Sequence, residues 1–65
     1  MRKLGKDLRV GDVIEVGWKR NDRIIRLTPY RGPLLSVLGK GTQLAEFAVS
    51  KVGMTLPAEE LFVVF

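Results

Sequence analysis

From Val13 to Trp18 the chain alternates between apolar and polar positions: Ile14, Val16 and Trp18 share one parity, Glu15 and Gly17 the other. A period of two is that of a strand with one buried face, and the turn-like Arg9-Val10-Gly11-Asp12 before it marks where the strand opens. Leu8 and Val10 anchor that turn. Lys19-Arg20-Asn21-Asp22 is a polar connection of hairpin length, after which Arg23 to Pro29 resumes the pattern, Ile25 and Leu27 alternating with Arg26 and Thr28. The pair predicts a β-hairpin in which Trp18 shares the core-facing parity of Ile14 and Val16. Pro29 has no backbone donor and ends the ladder, and Arg31-Gly32-Pro33 turns the chain away.

Beyond the hairpin, Pro33 to Leu38 is short and apolar and is closed by Gly39-Lys40-Gly41, which predicts a helical turn started by proline and ended by glycine. Thr42 to Ser50 fits two periods. Leu44, Phe47 and Ala48 have helical spacing, whereas Ala45, Phe47 and Val49 alternate as a strand; β-branched Thr42 and Val49 and the glycines at 39, 41 and 53 favour the strand. Met54 to Leu56 is a short extended piece, Pro57 to Glu60 a turn, and Leu61 to Phe65 a closing strand. Its five successive apolar residues predict burial on both faces, by pairing with the first strand or across a subunit interface. The expected core is Val10, Ile14, Val16, Ile25, Leu27, Phe47, Val49, Leu61 and Val63. Residues 1–6 read as a flexible basic arm on one small domain spanning 1–65.

Leu8-Arg9-Val10-Gly11-Asp12-Val13-Ile14-Glu15-Val16 resembles the turn and first strand of SH3-like small β-barrels, including those of translation and transcription factors; the likeness covers roughly the first 30 residues. The resemblance implies an all-β fold, a five-stranded SH3-like or OB-like barrel with one short helical turn. The glycine-rich loop of the nucleic-acid-binding KOW variety is not reproduced after Val16, where Trp18-Lys19-Arg20-Asn21-Asp22 stands instead. That variety's RNA-binding role is not carried over.

Composition removes several chemistries. The 65 residues include no cysteine and no histidine, which takes away disulfides, thiolate nucleophiles, the commonest metal ligand and the usual general base. The seven carboxylates are scattered, and Ser36 and Ser50 lack a histidine partner. The expectation is therefore a protein that is not an enzyme, with no catalytic residues, no metal and no cofactor. Gly39-Lys40-Gly41 lacks the longer glycine frame and the Lys-Ser/Thr of a phosphate-binding loop, so its glycines read as turn positions of positive φ. No apolar run approaches membrane-spanning length, and Gly5, Lys6, Asp7 and Arg9 occupy the place of a signal-peptide core. The chain reads as soluble and cytoplasmic, with no membrane partner.

The net charge of +4 is unevenly spread: residues 1–31 carry nine Lys/Arg against four Asp/Glu, and residues 32–65 carry two against three. Basicity in the first half points to an acidic partner. The candidate surface is Lys19, Arg20, Arg23, Arg26 and Arg31 on phosphates with Tyr30 on a base or sugar, forming an outward row along the second strand. This reading makes the protein a non-catalytic binding module for nucleic acid, DNA or RNA. The competing description of the same residues is a solvated face partly paired with Asp12, Glu15 and Asp22. The competing function is a protein-interaction or homo-oligomeric assembly module, with Leu34, Leu35, Val37, Leu38 and Phe65 as its apolar interface.

Overall fold

The computed structural model describes all 65 residues. Its organising element is a hairpin of β2 (Val13–Gly17) and β3 (Arg20–Pro29), antiparallel, with Val13 opposite Arg23 and Ile14 opposite Asp22. The first strand stops at Gly17 and the second starts at Arg20, so the connection is Trp18-Lys19 instead of the four polar residues the sequence predicts. Lys19 has φ 57°, the left-handed conformation that lets so short a connection reverse the chain. A bulge at Val16 breaks the alternation before Trp18, and Trp18 is 84% exposed, not core-facing.

A second bulge resets β3. Ile24 pairs with Phe47 of β4 (Gln43–Phe47), but the next pair is Arg26 with Glu46, leaving Ile25 as the extra residue. Before the bulge the even positions Asp22 and Ile24 face inward; after it Leu27 does. Ile24 is fully buried and Ile25 is 52% exposed, which reverses the assignment made from alternation alone. β5 (Met54–Leu56) adds to the far side of β4, completing a curled four-stranded sheet in the order β2-β3-β4-β5.

The second sheet pairs β1 (Arg2–Leu4) with β6 (Leu61–Val63). The first six residues are thus not a flexible arm but part of the wall. Val64 N–H donates to Met1 O at 2.7 Å, Gly5 N–H to Glu60 O at 2.8 Å and Lys6 N–H to Ala58 O at 3.1 Å. Gly5 opens a 3-10 turn (Gly5–Asp7) and is buried; a Cβ there would collide with the Pro57 carbonyl oxygen, so the close approach of the two segments requires glycine. The sheets are linked by a bridge between Ile14 and Val64 and by Phe65 N–H donating to Val13 O at 2.8 Å. The C-terminal segment is therefore paired within the chain, and the strands number six where five are expected.

The core consists of Leu8, Ile14, Ile24, Ala45, Phe47, Leu56, Phe62 and Val64, with Val16, Leu27 and Met54 packed against it. Ile14, Val16, Leu27 and Phe47 of the expected core belong to it. Val10 does not: it is exposed at the corner of a turn closed by Arg9 N–H donating to Asp12 Oδ2 at 2.9 Å. Val49 is exposed because β4 has ended at Phe47. On β6 and the bridge residue after it, the buried positions are Phe62 and Val64, leaving Leu61 exposed and Val63 half-buried, so this segment buries one face and not both. The helical turn α1 (Leu35–Leu38) runs into Gly39, which with Gly41 has positive φ, as the turn reading of those glycines requires. No helix is long and apolar enough to cross a membrane.

Candidate nucleic-acid interface

The hairpin turn exposes the indole. With only Trp18 and Lys19 between the strands, the ring projects past the end of the sheet, and Lys19 Nζ sits 4.8 Å from the ring centroid. Beside them Phe65, held by its N–H bond to Val13 O, presents a ring that is 69% exposed. Trp18, Lys19, Arg20, Asn21, Glu15, Val63 and Phe65 line one open cleft of about 390 Å³. Two aromatic faces and two cationic side chains share it with one acidic side chain, Glu15.

The remaining cations do not continue this cluster as one row. Arg20 has the parity of inward-facing Asp22 and Ile24, whereas Arg23 lies opposite Val13 with the reverse parity. Arg26, beyond the bulge, pairs with Glu46 at 3.5 Å, both side chains largely in solvent. Tyr30 and Arg31 follow the other end of β3, ten and eleven residues on from Arg20. They line a different cleft, of about 460 Å³, together with Lys40. The six basic and aromatic residues singled out from sequence are thus divided between the two ends of one strand, with Arg23 and Arg26 between.

The apolar candidates divide as well. Leu34 and Val37 are exposed, Val37 at 80%, while Leu35 and Leu38 are half-buried in the same helical turn. Phe65 is grouped with Trp18 at the hairpin tip instead of with that turn.

Sequence reasoning missed two contributors. Alternation gives Trp18 the core-facing parity and sets its core reading above a stacking role, although the chain around it, ending in a left-handed Lys19, is that of a turn. Asp22 falls in the polar connection that the sequence predicts, yet it lies within β3 and is buried. Its Oδ1 accepts from Arg23 N–H (2.8 Å) and Val49 N–H (3.2 Å), and its Oδ2 accepts from Ser50 N–H (2.7 Å). Burial raises the carboxyl, but the Ser50, Val49 and Arg23 donors and the Arg20 guanidinium outweigh it and hold the group below its ordinary value of 3.8. The anion fastens the β4–β5 loop to the strand that carries Arg20.

No group of His, Cys, Asp or Glu is arranged to hold a metal ion. No family model matches the chain, and no curated protein or solved structure is significantly similar to it.

Proposed function

We propose that the chain is a non-catalytic small β-barrel module, SH3-like or OB-like in kind, that binds single-stranded nucleic acid at its hairpin tip. The observation that carries this reading is the pairing of two exposed rings, Trp18 and Phe65, with Lys19 and Arg20 around one cleft. Two large exposed rings lining one cleft form an apolar patch of the kind that marks a contact site. Bases offer π-faces of every sequence to such rings, and the neighbouring cations neutralise the phosphates between them. Arg23 extends the path along the outer face of β3. Binding is then tolerant of sequence and strongly dependent on salt.

Trp18 is the chain's single tryptophan, so its fluorescence reports this site alone. Titration with oligo(dT) and oligo(U) is expected to quench it saturably. The logarithm of the affinity should fall with the logarithm of salt at a slope of about −2, for roughly three phosphates neutralised on a single strand. Unquenched emission at low ionic strength, or an affinity that ignores salt, overturns the proposal.

One observation favours a second reading, a protein-interaction or assembly module: Leu34 and Val37 are both exposed on one helical turn. Sedimentation at several concentrations, with Leu34→Lys/Val37→Lys as the comparison, decides it. A monomer at every concentration removes the homo-oligomer.

A further inference from the structure

From the cleft at the far end of β3 we infer a second binding site, selective for a nucleotide carrying a terminal phosphomonoester. The cleft, about 460 Å³, is of ligand-binding size and its walls are built for different parts of one molecule. Pro29, Tyr30 and Leu35 supply a ring and aliphatic surface on which a planar base can lie. Arg31 and Lys40 supply two positive charges. Gln43 supplies an amide, donor and acceptor together, for a base edge or a sugar hydroxyl.

Charge decides the class of ligand. None of the seven carboxylates lines the cleft, and neither Arg31 nor Lys40 belongs to any of the chain's three ion pairs. A phosphomonoester carries about −1.5 to −2 at neutral pH, matching two cations, whereas an internal phosphodiester carries one negative charge. A terminal phosphate is therefore preferred over the middle of a strand.

The walls are set before any ligand arrives. Tyr30 N–H donates to Thr42 O at 3.0 Å, and the Tyr30 hydroxyl accepts from Leu34 N–H at 3.4 Å. Gly32 leaves the space the phenol occupies, since a Cβ there would collide with the Tyr30 hydroxyl and ring. Thr42 is buried and its hydroxyl donates to Gly39 O at 2.8 Å, closing the loop that carries Lys40. Preorganisation of this kind reduces the ordering cost of binding.

The same chemistry comes from a free nucleoside monophosphate or from the 5′ end of a strand. Amide chemical shifts of the labelled full chain, followed by NMR, test the site with adenosine 5′-monophosphate, adenosine, inorganic phosphate, and a short oligonucleotide with a 5′-phosphate or a 5′-hydroxyl. Adenosine 5′-monophosphate is expected to shift residues 29–31, 35 and 40–43 saturably, with adenosine and phosphate each at least about tenfold weaker. Arg31→Glu and Lys40→Glu, both exposed and free of ion pairs, are expected to weaken it about tenfold each while leaving the remaining spectrum folded. Tighter binding by the 5′-phosphorylated oligonucleotide identifies the strand end as the source, and tighter binding by the mononucleotide the free ligand. Absence of saturable shifts at millimolar ligand, shifts confined to other residues, equal binding by inorganic phosphate, or indifference to both charge reversals overturns the inference. The site is independent of the hairpin tip, which Trp18 fluorescence reads separately.

Discussion

Asp22 and Ser50 lie 28 positions apart in the chain and are joined by a 2.7 Å hydrogen bond from the Ser50 N–H to a carboxylate oxygen. With the companion bonds from Val49 and Arg23, it makes one buried anion the fastener between the hairpin and the β4–β5 loop. Asp22→Ala removes all three hydrogen bonds at once and is expected to expose the amides of Val49 and Ser50 to hydrogen exchange, with a clear drop in urea midpoint. Asp22→Asn, which keeps one carbonyl acceptor and loses the charge, should fall between it and the wild type.

The same carboxylate sets an acid limit. Its folded pKa is depressed, so its contribution to stability is complete above the ordinary value of 3.8 and disappears as pH falls through the lower folded value. Urea unfolding between pH 7 and pH 2 should therefore show this contribution unchanged down to about pH 5 and declining progressively below about pH 4. Asp22→Asn should remove that part of the acid dependence. A wild-type curve and an Asp22→Asn curve that stay parallel through the acid range would contradict the assignment.

At the turn, Lys19 occupies the left-handed region at φ 57°. For a residue with a Cβ this costs roughly 1–2 kcal/mol, while an exposed cation–π contact with Trp18 returns about 0.5–1 kcal/mol. Lys19→Gly relieves that strain but loses the contact and adds glycine's unfolded-state entropy of about 0.4–1 kcal/mol, so folding stability is expected to change by less than about 0.5 kcal/mol while nucleic-acid binding weakens. Parallel denaturation and fluorescence titrations would show the urea midpoint holding while the affinity falls.

The bulge at Ile25 makes neighbouring isoleucines unequal. Ile24→Ala opens a cavity in the core and should cost about 2–5 kcal/mol, whereas Ile25→Ala should cost less than about 1 kcal/mol. Similar losses for both would show that the register of β3 is not the one described.

Among the arginines, Arg20 and Arg26 should also differ. Arg20→Glu places a repelling charge in the hairpin-tip cleft and is expected to reduce oligonucleotide affinity by at least about tenfold. Arg26, already paired with Glu46 at 3.5 Å in solvent, contributes a bond of only about 0–1 kcal/mol. Its replacement by alanine should leave both affinity and stability nearly unchanged, as fluorescence and urea titrations can establish.

Local pattern was enough for the existence of the hairpin, the helical turn after Pro33, the strand nature of the segment after Thr42, and the turn roles of Gly39 and Gly41. These rest on neighbours in sequence: side-chain period, proline's missing donor, glycine's access to positive φ. It also placed Ile14 and Phe47 in the core. Strict alternation carried too far then misplaced Trp18 and Ile25, since a single extra residue in one strand reverses the facing of everything beyond it, whereas the unbroken apolar run at 61–65 has no alternation to show that Phe62 and not Leu61 faces the core.

The chemistry of the individual side chains, basic in the first half and without cysteine or histidine, belongs to the sequence. Where those side chains meet depends on long-range pairing: β1 against β6, Val64 against Ile14, and the Asp22 carboxylate against amides 27 and 28 positions away. Such contacts follow from closing the sheets around a common core, which no local period encodes. Closure brings Phe65 next to Trp18, and the length of β3 holds Tyr30 and Arg31 at the opposite end of the molecule.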